Sequence, residues 1–286
     1  MQGCNATDSA VDVSNILNLV GGINKITINQ EIDENNVPRS VYIETPQNLN
    51  SSLYYPVVFF FHGAGGSGED FLYDNTITEL INSEEFIGVF PNGYSNNGSD
   101  GGFWNLGSEP TTADDVEFVD LIIKQLAGHP LIDTTKAYAI GISNGAGMVN
   151  LLGKATNHFT AIAPLFSQQI ISTRDLTPIK AMSVFQVNGE SDDLIPLSGG
   201  LSPVGTFMSA QNSALDWANH FNCNATATQE DLIWEDAALR SFTYSNCDNS
   251  HAVKYLIALN TGHGFTDNQT ESLAYIEIWK FFKKLN

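Results

Sequence analysis

Basic residues are scarce in this chain of 286 residues, which has 12 Lys and Arg against 32 Asp and Glu and a formal net charge of −20. A strongly acidic surface repels phosphate backbones, so we predict no nucleic-acid partner. Long hydrophobic runs are also lacking, since the longest, PVVFFF at 56–61, has the length of a β-strand. Because a membrane-spanning helix needs about 18 apolar residues, none is predicted. The 42% of hydrophobic residues nevertheless excludes a wholly disordered chain.

The chain has only three cysteines, and they lie in two different settings. Cys223 and Cys247 share one polar, Asn-rich segment, which is consistent with a disulfide or with two unpaired thiols of a cytosolic protein. Cys4, in MQGC before a polar stretch, resembles the first residue of a mature bacterial lipoprotein, and membrane attachment through a lipidated Cys4 is therefore a hypothesis. Residues 1–20 are predicted to be a flexible tether, and 21–286 a single domain of a size that one core supports.

Strand-like and helix-like patterns alternate along the chain. ITINQEI (26–32) and RSVYIETP (39–46) predict an antiparallel hairpin at a sheet edge. Short, continuously apolar segments predict buried strands at 56–63, 86–93, 136–143, 183–190 and 253–260. An apolar stripe of helical spacing is formed by Val116, Val119, Ile123 and Leu126, and a final helix is predicted at about 269–284. This order predicts an α/β fold with a mainly parallel sheet covered by helices on both faces.

In such sheets, ligands bind beyond the carboxyl ends of the strands. GISNG at 141–145 follows a predicted strand and precedes a helix-like segment, which is the context of a G-x-S-x-G nucleophile elbow. We therefore predict Ser143 as a nucleophile. The alternative is an ordinary turn in which Ser143 caps the following helix.

A serine nucleophile needs a base to take its proton and a carboxylate to orient that base. His263 follows the last predicted strand in a glycine-flanked loop and is the predicted base, with a structural histidine as the alternative. Asp192 and Asp193 both follow the strand at 183–190, and the G-x-x-D spacing from Gly189 favours Asp192 as the carboxylate.

An acyl-transfer site also needs two backbone N–H donors for the oxyanion. Asn144, directly after the nucleophile, is one candidate, and Ala64 in HGAGG is the other, with Gly65 in reserve. His62 and Trp104 are candidate substrate-binding residues, although Trp104 equally fits a buried anchor of its own loop. No spacing matches a calcium loop or a phosphate-binding loop, so neither a metal nor a cofactor is predicted.

Seven motifs in this order resemble the secreted polyhydroxybutyrate depolymerase and feruloyl esterase group of α/β-hydrolases: HGAGGSGEDF, FPNG, GFW, DDVEFVD, GISNGAGM, NGESDDLIP and TGHGF. The resemblance implies an α/β-hydrolase fold from about residue 26 to the C-terminus. It also implies a triad of Ser143, Asp192 and His263 and a disulfide between Cys223 and Cys247.

The chain departs from this group at two places beside the expected acyl pocket. Asn188-Gly189 stands where the group commonly has His-Gly, and Phe265-Thr266-Asp267 stands where it commonly has Trp-Pro-Gly. Phe265 is therefore a further candidate substrate-binding residue.

The function predicted from these motifs is a secreted or cell-surface serine ester hydrolase that acts on polyester oligomers of the polyhydroxybutyrate type. Feruloyl or acetylxylan esterase activity on plant polysaccharide is the alternative within this class. A non-catalytic binding protein of the same fold and a serine peptidase are alternatives from other classes.

Overall fold

The computed structural model describes residues 17–96 and 101–284. The strands in chain order are β1 (Gly22–Ile32), β2 (Asn35–Thr45), β3 (Tyr55–Phe61), β4 (Ile87–Pro91), β5 (Ile132–Ile142), β6 (Phe159–Leu165), β7 (Ser183–Gly189), β8 (Gly200–Ser202), β9 (Gly205–Phe207), β10 (Thr228–Trp234), β11 (Ala237–Tyr244) and β12 (Val253–Ala258). The α-helices are α1 (Glu69–Leu72), α2 (Asn75–Glu84), α3 (Asp115–Ala127), α4 (Asn144–Ala155), α5 (Ile171–Arg174), α6 (Ala210–His220) and α7 (Asn268–Lys283). A short 3₁₀ helix at Asp248–Ser250 precedes β12.

Ten strands form one sheet in the order β1-β2-β4-β3-β5-β6-β7-β12-β11-β10. Neighbours from β4 to β12 pair in parallel, whereas the hairpins β1–β2 and β10–β11 join the two ends antiparallel. The predicted α/β fold with a mainly parallel sheet and an N-terminal hairpin is confirmed. The hairpin turn is tighter than DENNVP suggested, because only Asp33 and Glu34 lie outside the strands and both have positive φ.

Helices cover both faces of the sheet because buried side chains of each central strand alternate in direction. In β3, Phe59 and Phe61 belong to the hydrophobic cluster under α3, α4 and α6, while Phe60 belongs to the cluster under α2 and α7. The predicted stripe on α3 packs into the first of these clusters. No helix of the described ranges combines the length and the apolar character that a bilayer span requires.

The structure also tests the predicted domain boundary at residue 20 and the predicted disulfide. Residues 1–16, including Cys4, lie outside the described residues, but Leu17 and Leu19 are buried against the core, so this part of the predicted tether belongs to the folded domain. Cys223, after α6, and Cys247, after β11, form a disulfide. It ties the end of α6 to the segment that leads into β12.

Candidate active site

Ser143 lies on a sharp turn between β5 and α4 with φ 57° and ψ −116°, a conformation that costs strain in a residue with a side chain. Its N–H donates to the carbonyl oxygen of Leu165 at 2.9 Å, and its own carbonyl oxygen accepts from the N–H of Gly147 at 3.1 Å. The hydroxyl makes no hydrogen bond to the helix N-terminus. The turn therefore presents the hydroxyl away from α4, unlike a helix-capping serine.

The glycines of the motif are required by close backbone contacts. A Cβ atom on Gly141 would lie 2.2 Å from the carbonyl oxygen of Gly145, and one on Gly145 would lie 2.1 Å from the carbonyl oxygen of Phe61. Both distances are far below van der Waals contact, and the opposing atoms are backbone atoms of the central sheet and the elbow. Only glycine allows the turn to sit this close to β3.

The structure brings Ser143, His263 and Asp192 together although they come from three separate loops. The Nε2 atom of His263 lies 2.8 Å from the Ser143 hydroxyl, and Nδ1 lies 2.7 Å from Oδ2 of Asp192. Because a carboxylate can only accept, Nδ1 carries the proton and Nε2 is free to accept the proton of the serine. The three groups thus form one directional chain of hydrogen bonds.

Asp192 is held rigidly and Asp193 is not part of the chain. Oδ1 of Asp192 accepts from the N–H groups of Leu194 and Ile195, each at 2.9 Å, which leaves Oδ2 for the histidine. The Asp192 side chain is 1% exposed, whereas Asp193 points to solvent. The loops of Asp192 and His263 approach closely, since a Cβ on Gly189 would lie 2.0 Å from the carbonyl oxygen of Gly262.

The two residues predicted as oxyanion donors lie at the same cavity as Ser143. Ala64 and Asn144 line it, and among the hydrogen bonds of the described residues none uses either N–H group. The N–H of Gly65, the reserve candidate, already donates to the carbonyl oxygen of Gly102 at 2.8 Å. Ala64 and Asn144 therefore remain the predicted donors to an oxyanion at Ser143.

The structure gives no support to the prediction that His62 and Trp104 bind substrate, because both residues are buried, at 1% and 0% exposure, and neither lines the cavity at Ser143. The Trp104 indole N–H donates to the carbonyl oxygen of His62 at 2.9 Å. The imidazole of His62 donates from Nδ1 to the carbonyl oxygen of Gly63 and accepts at Nε2 from the N–H of Gly93. Burial lowers the pKa of His62. Both residues join neighbouring loops around the site through these hydrogen bonds. For Trp104 this is the alternative given above, a buried anchor of its own loop.

Phe265 is partly buried and packs edge-on against Phe166, with ring centroids 4.9 Å apart. It lies two residues after His263 but is not among the residues that line the cavity at Ser143. Phe265 therefore lies outside the lining of that cavity, and its contact with a substrate stays a prediction.

Sequence reasoning used only the backbone N–H of Asn144, whereas its side chain also has a part in the site. Its amide accepts from the N–H of Trp104 at 2.7 Å and donates to the carbonyl oxygen of Trp104 at 3.1 Å. It also lies 3.3 Å from Oε1 of Glu109, whose Oε2 accepts from the N–H of Leu106 at 2.7 Å. Asn144 therefore joins the elbow to the loop that forms one wall of the cavity. No local pattern in GISNG could have indicated this partner.

A buried ion pair anchors the other end of that loop. Arg39 of β2 lies 2.7 Å from Asp115 at the start of α3, and its guanidinium stacks 3.6 Å above the ring of Phe118. Asp115 also accepts from the N–H of Asn105 at 2.7 Å. The neighbouring Asp114 caps α3, since its Oδ1 accepts from the N–H of Glu117 at 3.0 Å. The N-terminal hairpin thereby helps to position the loop around Trp104.

The cavity at Ser143 has a volume of about 720 Å³, in the range of sites for small organic ligands. Apolar side chains dominate its lining, and Glu109 is the one charged residue among the lining residues. These residues are Ala64, Phe103, Leu106, Gly107, Ser108, Glu109, Pro110, Ser143, Asn144, Ser167, Ile170, Ile171, Ser172, Leu194, Ile195, Pro203, Val204, Gly205, Thr206 and Phe207. Among the described residues, no three His, Cys, Asp or Glu side chains are grouped as metal ligands.

The chain matches no protein-family model. It is 25% identical over 257 residues to feruloyl esterase B of Piromyces equi, which covers 87% of this chain but only 45% of that protein. It is 27% identical over 253 residues to feruloyl esterase C of Emericella nidulans, covering 85% of this chain and 83% of that protein.

Solved structures share the fold at low sequence identity. Acetyl xylan esterase from Aspergillus awamori superposes with a TM-score of 0.63 at 15% identity, over 92% of this chain and 99% of that one. Thermogutta terrifontis esterase 2 gives a TM-score of 0.61 at 11% identity, over 91% and 95%. The chain therefore has the α/β-hydrolase fold of these esterases, and its sequence is similar to feruloyl esterases.

Proposed function

We propose that this protein is a serine carboxylic-ester hydrolase that works through an acyl-enzyme. The observation that carries the proposal is the unbroken hydrogen-bond chain from Asp192 through His263 to Ser143, with the serine at an apolar cavity. Relatives named as feruloyl esterases support the same reaction type.

In the first half of the reaction, the Ser143 hydroxyl oxygen attacks the ester carbonyl carbon while Nε2 of His263 takes its proton. Asp192 stabilises the imidazolium that forms, and the N–H groups of Ala64 and Asn144 donate to the oxyanion. The carbon–alkoxide bond then breaks, and the imidazolium returns the proton to the departing alkoxide. The products of this half are the free alcohol and an acyl group bound to Ser143.

In the second half, His263 removes a proton from water, and the resulting hydroxide attacks the acyl carbon. Collapse of the second tetrahedral intermediate releases the carboxylic acid, and the proton on Nε2 returns to Ser143. The atoms balance as ester plus water giving acid plus alcohol, and no cofactor is needed.

The cavity favours a neutral ester with a bulky apolar acyl group. Its apolar walls would hold an aromatic or branched chain, and the carboxylate of Glu109 disfavours an anionic one. Feruloyl-type esters, the alternative of the sequence analysis, now have more support than polyester oligomers, because the relatives described above are named as feruloyl esterases. A secreted location is part of the proposal and is supported by the disulfide.

A panel of p-nitrophenyl esters, methyl ferulate, acetylated xylan and hydroxybutyrate oligomers tests this function, with Ser143→Ala as the inactive reference. We expect Ser143→Ala to lose at least about 10³-fold in kcat/KM on every accepted ester while keeping its melting temperature. Equal activity of the wild type and Ser143→Ala, or no hydrolysis of any ester by the wild type, would refute the proposal. Selectivity within the panel decides between feruloyl-type esters and polyester oligomers as the preferred substrates.

A further inference from the structure

One wall of the cavity is a surface excursion of the chain, residues 197–207, which we call the flap. It contains the small hairpin of β8 and β9, and its second half, from Pro203 to Phe207, lines the cavity at Ser143. Phe207 is buried, whereas Leu201 on the outer side is 85% exposed. The flap therefore forms one wall of the cavity, with Phe207 packed against the core.

Both ends of the flap are tied to a single side chain. The amide nitrogen Nε2 of Gln168 donates to the carbonyl oxygen of Pro196, just before the flap, and to that of Met208, just after it, each at 3.0 Å. Gln168 is completely buried and lies in the loop between β6 and α5. A side chain with two N–H donors on one nitrogen is required for this double contact.

The orientation of the Gln168 amide is set by a buried relay of hydrogen bonds. The Ser213 hydroxyl donates to Oε1 of Gln186, whose Nε2 donates to Oδ1 of Asn188 at 2.8 Å. Nδ2 of Asn188 in turn donates to Oε1 of Gln168 at 2.8 Å. Since that oxygen accepts from Asn188, the nitrogen of Gln168 must face the two carbonyl oxygens of the flap. Buried polar groups in such a relay are costly to leave unpaired.

We propose that Gln168 is the positioning residue that sets acyl specificity, because it holds both ends of the flap and so keeps that wall of the cavity in contact with a bulky acyl group. The inference rests on the proposed ester hydrolysis. An acetyl group occupies only the space beside Ser143, whereas a larger acyl group extends toward the flap. Loosening the flap therefore weakens binding of the larger group and leaves the triad geometry alone.

The test compares Gln168→Met with Gln169→Met. Gln169 is the matched control, because it is equally buried and adjacent, yet its side chain donates to the carbonyl oxygen of Ser213 and not to the flap. The substrates are p-nitrophenyl acetate and p-nitrophenyl 3-phenylpropenoate, which share one leaving group. For Gln168→Met we expect the phenylpropenoate-to-acetate ratio of kcat/KM to fall about tenfold, from the loss of two buried hydrogen bonds.

The loss should appear as a raised KM with kcat nearly unchanged, because the reacting groups are untouched. Backbone amides of 197–207 should exchange with deuterium faster in Gln168→Met than in the wild type. In Gln169→Met, both the ratio and the exchange of the flap should match the wild type. A merely structural role would instead lower activity on both esters alike and change exchange throughout the domain.

An unchanged or increased ratio in a folded Gln168→Met variant would overturn the inference. If that variant does not fold, Val204→Trp provides the second test, since Val204 is 46% exposed and its side chain lies on the flap wall. The added indole should lower the same ratio by occupying the space of the larger acyl group, and an unchanged ratio would again refute the role of the flap. Failure of the proposed function is distinguishable, because the wild type would then hydrolyse neither ester.

Discussion

Replacing Asp192 with asparagine should remove the base function of His263 while keeping the fold. The two backbone N–H groups that bind Oδ1, at 2.9 Å each, can bind the amide oxygen of the new side chain equally well. The amide nitrogen then faces Nδ1 of His263 at the position where Oδ2 now lies 2.7 Å away. A donor at that place requires Nδ1 to be unprotonated, so the ring proton moves to Nε2. In this tautomer Nε2 donates to Ser143 and no longer accepts its proton.

The expected loss is about 10⁴-fold in kcat, the size found when a triad carboxylate of a serine protease is replaced by its amide, and it corresponds to roughly 5 kcal/mol of transition-state stabilisation. The assay is hydrolysis of p-nitrophenyl acetate by purified Asp192→Asn, with thermal unfolding measured in parallel. We expect KM to change little, because Asp192 does not line the cavity at Ser143.

The neighbouring Asp193→Asn is the matched control for Asp192→Asn, since it makes the same chemical change one residue along the chain. The Asp193 side chain is exposed and outside the hydrogen-bond chain, so its kcat should stay within about twofold of the wild type. The reasoning is refuted if Asp192→Asn keeps more than about a tenth of the activity or if Asp193→Asn loses as much.

Three further predictions concern stability. Gly145→Ala should unfold at a clearly lower temperature, with a loss of more than about 3 kcal/mol, because its Cβ would lie 2.1 Å from a carbonyl oxygen of β3. Gly128→Ala, where the nearest contact is 3.4 Å and φ is −74°, should be tolerated, and equal melting temperatures for the two variants would contradict this. Replacing Cys223 and Cys247 with serine should cost about 3 kcal/mol in denaturant unfolding, while esterase activity at room temperature persists, because neither cysteine lines the cavity. Burial lowers the pKa of His62 below its ordinary 6.5, so its contribution to stability is complete above pH 6.5 and is lost as the pH falls. Between about pH 7.5 and 5.5 the unfolding free energy of the wild type should fall more steeply than that of His62→Gln, and parallel curves would exclude this role.

The features that the sequence predicted well are those encoded within a few neighbouring residues. The continuously apolar segments became the parallel strands, and the glycines beside Ser143 indicated a turn whose steric demands the structure shows directly. Since parallel strands end at one edge of the sheet, their order along the chain was enough to predict that the loops of Ser143, Asp192 and His263 would meet. Asp192 was separable from Asp193 by its spacing from Gly189.

Other parts of the fold were not predicted because their local patterns are weak. β6, FTAIAPL, interrupts its apolar residues with a threonine and a proline, and β10, TQEDLIW, is an edge strand whose side chains are mostly exposed. Each is placed in the sheet by its pairing with a neighbouring strand, β6 with β5 and β10 with β11. A polar edge strand has no continuous apolar signal, because only one end of it reaches the core.

The fold class and the elbow could be predicted because their steric and hydrophobic constraints act between close neighbours in the chain, and the candidate triad followed from the order of the strands. The direction of the polar side chains around the cavity depends instead on contacts between distant parts of the chain. The Trp104 side chain is buried, and its indole N–H donates to the carbonyl oxygen of His62, 42 positions away. Gln168 found its partners 28 and 40 positions away, at the two ends of the flap. Partners at such separations come together only when the whole chain folds, so the residues around each side chain do not predict them.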